Sequence, residues 1–107
     1  MGVEAVLFVA GQRIVGLADP TGGTFDAAGD FDGLLPLDAA TFPTLSRIDA
    51  EGVAEFGTSE MAAIVDEAAG VLALTDANPE RRGVLRLQAL AAHGSRMPVA
   101  TLRITGD

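Results

Sequence analysis

His93 is the only histidine in a chain of 107 residues that has no cysteine. It is therefore the one candidate general base with an unperturbed pKa near neutrality. Ser95 follows two residues later, but a nucleophile and its base must meet in a defined geometry, which nearness across a glycine does not provide. A second reading makes His93 a solvent-facing residue in the last turn of a helix, where the negative helix end favours its cation. Glu60 and Glu67 fall two turns apart on one side of a helix, either as an acid-base pair or as an ordinary soluble flank. "GDFDGLL", residues 29–35, places Asp30, Asp32 and Gly33 at a spacing shared with aspartate-nucleophile phosphatases and calcium loops. The phosphatase reading needs a hydrophobic strand before it and a later lysine. The calcium loop needs a glutamate at its twelfth position, which is Thr41 here. A turn-rich solvated loop fits those residues better.

All seven basic residues are arginine, so no lysine is present for a Walker-type phosphate loop, a Schiff base or a lysine general base. The lack of cysteine removes disulfides, thiol nucleophiles and zinc sites built on thiolates. No metal and no cofactor is expected. The formal net charge of −8 opposes nucleic acid and anionic membranes, because phosphate neutralisation needs positive clusters. No apolar stretch approaches the roughly 20 residues of a membrane span, and no basic leader follows Met1; together these predict a cytoplasmic protein.

The charge is uneven along the chain. Residues 1–80 hold fourteen acids and two arginines, net −12, whereas residues 81–107 hold five arginines and one aspartate, net +4. In "ERRGVLRLQALAAHG", residues 80–94, Arg82, Arg86 and His93 lie within about 40° of one another on a helical projection, opposite Val84, Leu87 and Ala91. Leu85 lies outside the buried arc, so an apolar side chain accompanies the arginines. Arginine beside an exposed leucine is the composition of an interface patch more than of a catalytic pocket. Pairing of these arginines with carboxylates of the same chain would neutralise the face equally well.

Positioning these side chains requires a small set of elements. "VEAVLFVA", residues 3–10, is apolar on both alternating sets and predicts a strand buried on two faces. "GQ" predicts a turn, "RIVGLA" a second strand and "DPTGG" a break. Residues 24–38 read as a loop, and residues 41–56 as a helical turn near Pro43 followed by two extended pieces about "DAEG". Thr58 or Ser59 is expected to cap a helix over 59–74, whose Met61, Ile64, Val65, Ala68 and Leu72 form its core stripe. Asn78, Pro79 and Glu80 start a second helix that Gly94 ends as a left-handed cap. Ala100, Leu102 and Ile104 alternate with Thr101, Arg103 and Thr105 as a half-buried strand.

"FPTLSRID", then "EG" and "EF", "SEMAAIVDE", "ERRGVLRLQALA" and the terminal "LRITGD" together resemble a group of small, acidic bacterial proteins without established activity, best represented in actinobacteria. The resemblance covers about two thirds of the chain. The group tends to carry a bulkier aromatic where this chain has "DAEG". The resemblance implies that residues 42–107 are one structural unit, and it transfers no catalytic residue.

The sequence thus predicts a single domain over 1–107 of α+β class, a small antiparallel sheet with a two-helix hairpin packed on one face. The functional expectation is a non-enzymatic cytoplasmic protein that binds another, basic protein, of the immunity, antitoxin or regulatory-accessory kind. Its candidate docking residues are Asp49, Glu51, Glu55, Glu60 and Glu67 on an acidic surface, and Arg82, Leu85, Arg86 and His93 on the second helix. Two alternatives remain open: a small enzyme or ligand-binding subunit that sets His93 against Glu67 or Asp66, and a homodimer joined through the edge of the first or last strand.

Overall fold

Alternation decides which side of the first strand meets the core. In the computed structural model, which describes residues 3–14, 28–29, 32–76 and 78–106, β1 runs Val3–Val9 with Val3, Ala5 and Leu7 buried and Glu4 exposed. Val6 is buried and Phe8 half-buried on the opposite face, which is why the run reads as apolar on both sets. Ala10 and Gly11 then turn the chain with φ of 53° and 81°. Two consecutive positive φ values suit the mirror-image turns that follow the twist of a hairpin. Among the described residues β2, Gln12–Arg13, follows as strand and Ile14 continues beside β1; residues 15–18 of the expected second strand and the "DPTGG" break lie outside the described residues.

The sheet order is β2-β1-β5-β4, all antiparallel, with β4 at Val53–Gly57 and β5 at Ala100–Gly106; β3, Ala28–Gly29, pairs with the Val3 end of β1. Register places Phe56 beside Leu102 and Leu102 beside Leu7, and Ala54 beside Ile104 and Ile104 beside Ala5. Leu7, Leu102 and Ile104 are wholly buried, each side chain contributing about 1.5–3 kcal/mol by leaving water.

Two helices cover this one face. α1, Thr58–Leu72, lies over β4 and β5, and α2, Asn78–Gly94, over β1 and β5. The architecture is α+β, an antiparallel sheet with a helix hairpin on one side. In α1, Met61, Ile64 and Ala68 face the core as their spacing predicts, and Val71 joins them. The expected cap does not form from Thr58 or Ser59. β4 passes into α1 without a connecting residue, so the N-cap falls on Gly57, and the Glu60 carboxylate accepts the Gly57 N–H at 2.9 Å. Thr58 is already helical, and its hydroxyl donates to the Met97 carbonyl at 3.4 Å.

Gly94 is likewise not a left-handed cap. It belongs to α2 and is buried where a Cβ would come within 2.8 Å of Leu7 Cδ1 and 2.9 Å of Met61 Cε. Its lack of a side chain lets α2 approach α1 and β1 closely. Gln88 Nε2 ties the same helices by donating to the Val65 carbonyl at 3.0 Å. At the other end of the hairpin, Arg81 Nη1 donates to the carbonyls of Leu72 and Thr75 at 2.5 and 2.9 Å. The Leu72 carbonyl is one that the end of α1 leaves unpaired, and that of Thr75 belongs to the connection.

Strand order shows how the first and last strands, the expected edges of a homodimer, are paired. β5 is interior, and β1 is paired on its other edge by β2, β3 and the Ile14 N–H that reaches the Leu7 carbonyl at 2.8 Å. The sheet order ends in β2 on one side and in β4 on the other. At β4, Arg47 Nη2 donates to the Glu55 carbonyl at 3.0 Å, and Glu60 takes the Gly57 N–H, so side chains occupy groups that strand addition would need.

Candidate functional site

The acidic surface is built around a 3-10 helix, Leu45–Arg47, which follows Pro43 where the sequence predicts a helical turn. Its start is held by Glu67 from the middle of α1. The carboxylate accepts the Thr44 N–H at 3.0 and 3.2 Å and the Leu45 N–H at 3.0 Å. Glu67 therefore closes the end of a helix and is not an open docking charge. Arg47, at the far end of this turn, forms an ion pair with Glu60 and lies 4.7 Å over the Phe56 ring. The Gly57 N–H and, secondly, Arg47 hold the Glu60 carboxyl below its ordinary value. Glu55 pairs with Arg103 Nε at 2.9 Å across the β4–β5 register, and Arg103 also lies 5.0 Å from the Phe8 ring.

Three of the five acidic candidates are thus engaged within the fold. The other two, Asp49 and Glu51, sit on the turn that leads into β4. Asp49 Oδ1 accepts the Glu51 N–H at 2.9 Å, the Asp49 carbonyl accepts the Gly52 N–H at 3.3 Å, and the Gly106 N–H of β5 donates to the Gly52 carbonyl at 2.7 Å. Both side chains are exposed, and neither has a cationic partner among the described residues. They line an open groove of about 500 Å³ together with Leu35, Pro36, Ser46, Arg47, Ile48 and Ala50. Sequence reasoning named the two carboxylates but missed the groove. Two of its lining residues, Leu35 and Pro36, come from the segment read as a loop over 24–38.

The second helix presents its arginine face less openly than the projection implies. Arg82 is exposed, whereas Leu85, Arg86 and His93 are half-buried. Arg82 and Arg86 both interact within the chain, and Arg81 is spent on the end of α1. The 3-10 helix Asp32–Leu34 packs beside the start of α2, where a Cβ on Gly33 would lie 3.1 Å from Glu80 Oε2.

His93 and Glu67 do not meet. Gly94 abuts Met61, so His93 is level with the beginning of α1. Glu67 stands six residues beyond Met61, about 9 Å further along the helix axis, and its oxygens face Thr44 and Leu45. A second cavity of about 380 Å³ is lined by Leu72, Ala73, Leu74, Thr75, Asp76 and Arg81 at the helix connection, also away from His93. Among the described residues no three His, Asp or Glu side chains converge as a metal cluster, and no helix is long and apolar enough to cross a membrane. Asp30 and the side chain of Asp32, on which the phosphatase and calcium readings rest, lie outside the described residues.

Comparison with known proteins adds no assignment: no family model, curated protein or solved structure matches the chain.

Proposed function

We propose that this chain is a non-enzymatic, cytoplasmic protein-binding protein, of the immunity, antitoxin or regulatory-accessory kind, that acts on a basic partner protein. The observation that carries this reading is the division of labour among its charges. Glu55, Glu60, Glu67, Arg47, Arg81 and Arg103 are engaged by the fold, while Asp49 and Glu51 remain exposed beside a concavity. The separation of His93 from Glu67 supports the same reading, since a base needs its proton-transfer partner within hydrogen-bond reach. An uncompensated acidic surface on a strongly acidic protein steers a basic partner and fixes its orientation more than it adds raw affinity.

The test is capture of partners from a native cell extract at near-physiological salt, using wild type and the Arg82→Ala, Arg86→Ala double variant. A stoichiometric partner retained by both supports binding through the acidic surface; one lost with the arginines moves the docking face to α2. No stoichiometric partner, together with a chemical activity that His93→Ala abolishes, overturns the reading in favour of a small enzyme.

A further inference from the structure

We infer that the groove between Leu35–Pro36 and the turn carrying Asp49 and Glu51 is the docking site for a cationic segment of a partner protein, one that inserts an arginine flanked by an apolar residue. This rests on the protein-binding reading and specifies its surface and its ligand chemistry. The groove's lining is mixed in a particular way. Ile48 is 3% exposed and forms a buried apolar base, Leu35, Pro36 and Ala50 add apolar wall, and the two carboxylates stand exposed. An arginine has matching parts: an aliphatic stem that lies along apolar surface and a planar guanidinium whose fork of donors fits carboxylate oxygens. The volume of about 500 Å³ lies within the range of concavities that hold ligand groups.

Charge complementarity singles out this place from the rest of the acidic surface. Glu55 has Arg103, Glu60 has Arg47, and Glu67 has two backbone N–H groups. Asp49 and Glu51 have no cation among the described residues. Arg47 also lines the groove, but its charge is matched by Glu60 and its second nitrogen is bonded to the Glu55 carbonyl. An incoming cation therefore finds two uncompensated negative charges and no uncompensated positive one. A second copy of the chain is a poor occupant, because each copy carries a net charge of −8.

The site is also held in shape before any partner arrives. The turn is closed by the Asp49 carboxylate on the Glu51 N–H, tied to β5 through Gly52 and Gly106, and approached through a 3-10 helix that Glu67 caps. A preformed site loses less freedom on binding.

The experiment is a titration of the full chain, followed by amide chemical shifts. The probe is a synthetic acetylated heptapeptide with two arginines flanked by leucine and alanine, and a peptide with glutamate in place of arginine is the control. Shifts are expected at residues 35 and 46–51, and the arginine peptide should bind at least fivefold more weakly to the Asp49→Asn, Glu51→Gln double variant. That variant keeps side-chain size and the oxygen that closes the turn, so a folded spectrum is expected. Shifts spread evenly over the acidic surface, or affinity unchanged in the variant, would overturn the groove as a site. So would concentration-dependent shifts at the groove without peptide, which would make a second copy the occupant. None of these results bears on whether a protein partner exists, which the extract capture decides separately.

Discussion

Replacing Glu67 by alanine removes the acceptor for two backbone N–H groups of the 3-10 helix. The Thr44 N–H is shared between both oxygens at 3.0 and 3.2 Å and the Leu45 N–H lies 3.0 Å from one of them. Hydrogen bonds to a charged acceptor contribute about 1.5–3 kcal/mol each when desolvated, and a buried donor left unpaired costs about 1–3 kcal/mol. Leu45 is 1% exposed, so its amide regains water poorly, whereas Thr44 is half-buried and loses less. The expected cost is about 3 kcal/mol, a large part of the roughly 5–15 kcal/mol that holds a domain of this size together. Glu67→Gln keeps one oxygen in a position to accept both N–H groups and loses mainly the charge, so about 1 kcal/mol is expected. The chain has no tryptophan or tyrosine, so urea unfolding is followed by far-ultraviolet circular dichroism. The midpoint should fall by about 1–2 M for alanine and about half of that or less for glutamine, with the slope unchanged. A midpoint for Glu67→Ala within about 0.3 M of wild type, the behaviour of a free surface carboxylate, would refute the capping role and return Glu67 to the docking surface.

Acid titration tests the other helix start. Because Glu60 is held below the ordinary glutamate range by the Gly57 N–H and, secondly, Arg47, its stabilisation is present above that range and is lost as pH falls through the lower, folded value. Between neutrality and strongly acid solution wild type should lose more stability than Glu60→Gln; equal losses in parallel denaturation curves would contradict the assignment. Gly94→Ala gains about 1 kcal/mol of helix propensity but forces a methyl against Leu7 and Met61, both wholly buried. Overpacking of about 1–3 kcal/mol should leave it less stable by about 1 kcal/mol, and a rise in melting temperature would show that α2 does not sit that close. Gly106→Ala is harsher, since the added Cβ meets the backbone of Ala50 and lies 2.5 Å from the Asp49 carbonyl oxygen. It should cost about 1–3 kcal/mol and shift the amide signals of residues 49–52; unmoved signals would place the turn away from β5. Arg81→Ala uncovers the Leu72 carbonyl at the end of α1 and the Thr75 carbonyl of the connection and should cost about 1–2 kcal/mol, read as faster hydrogen exchange at residues 72–75 than elsewhere in the chain.

Features set by neighbours along the chain were legible from sequence. Met61, Ile64 and Ala68 repeat at helical spacing and are all wholly buried; Ala100, Leu102 and Ile104 alternate and are all buried in β5. Features set by residues distant in sequence were not. Glu67 looks like any helix carboxylate until the fold brings Thr44 and Leu45 to it from more than twenty positions away. Gly94 stands where either a left-handed cap or a close helix crossing calls for glycine, and only the approach of Met61 and Leu7 decides between them. Thr58 and Ser59 have capping oxygens, yet the absence of any connector after β4 moves the cap back to Gly57. The acidic candidates can be picked out by residue type, but their separation into paired and unpaired groups depends on Arg47 and Arg103, which reach Glu60 and Glu55 only through tertiary contact. Likewise the groove needs Leu35 and Pro36 beside Asp49.

The absence of lysine from the chain makes one measurement especially direct. Carbodiimide with an added small amine, applied in a native extract, labels exposed carboxylates of this protein without competing coupling to lysines of its own, and an arginine seated on a carboxylate carries no amine that couples and shields it. Mass spectrometry of the protein from the extract and of the isolated protein then reads which carboxylates are shielded. The groove proposal predicts that Asp49 and Glu51 are shielded in the extract; equal labelling of both with and without extract, or shielding spread equally over exposed acids such as Glu4, Asp66 and Asp76, would contradict a protein-binding role centred on this groove.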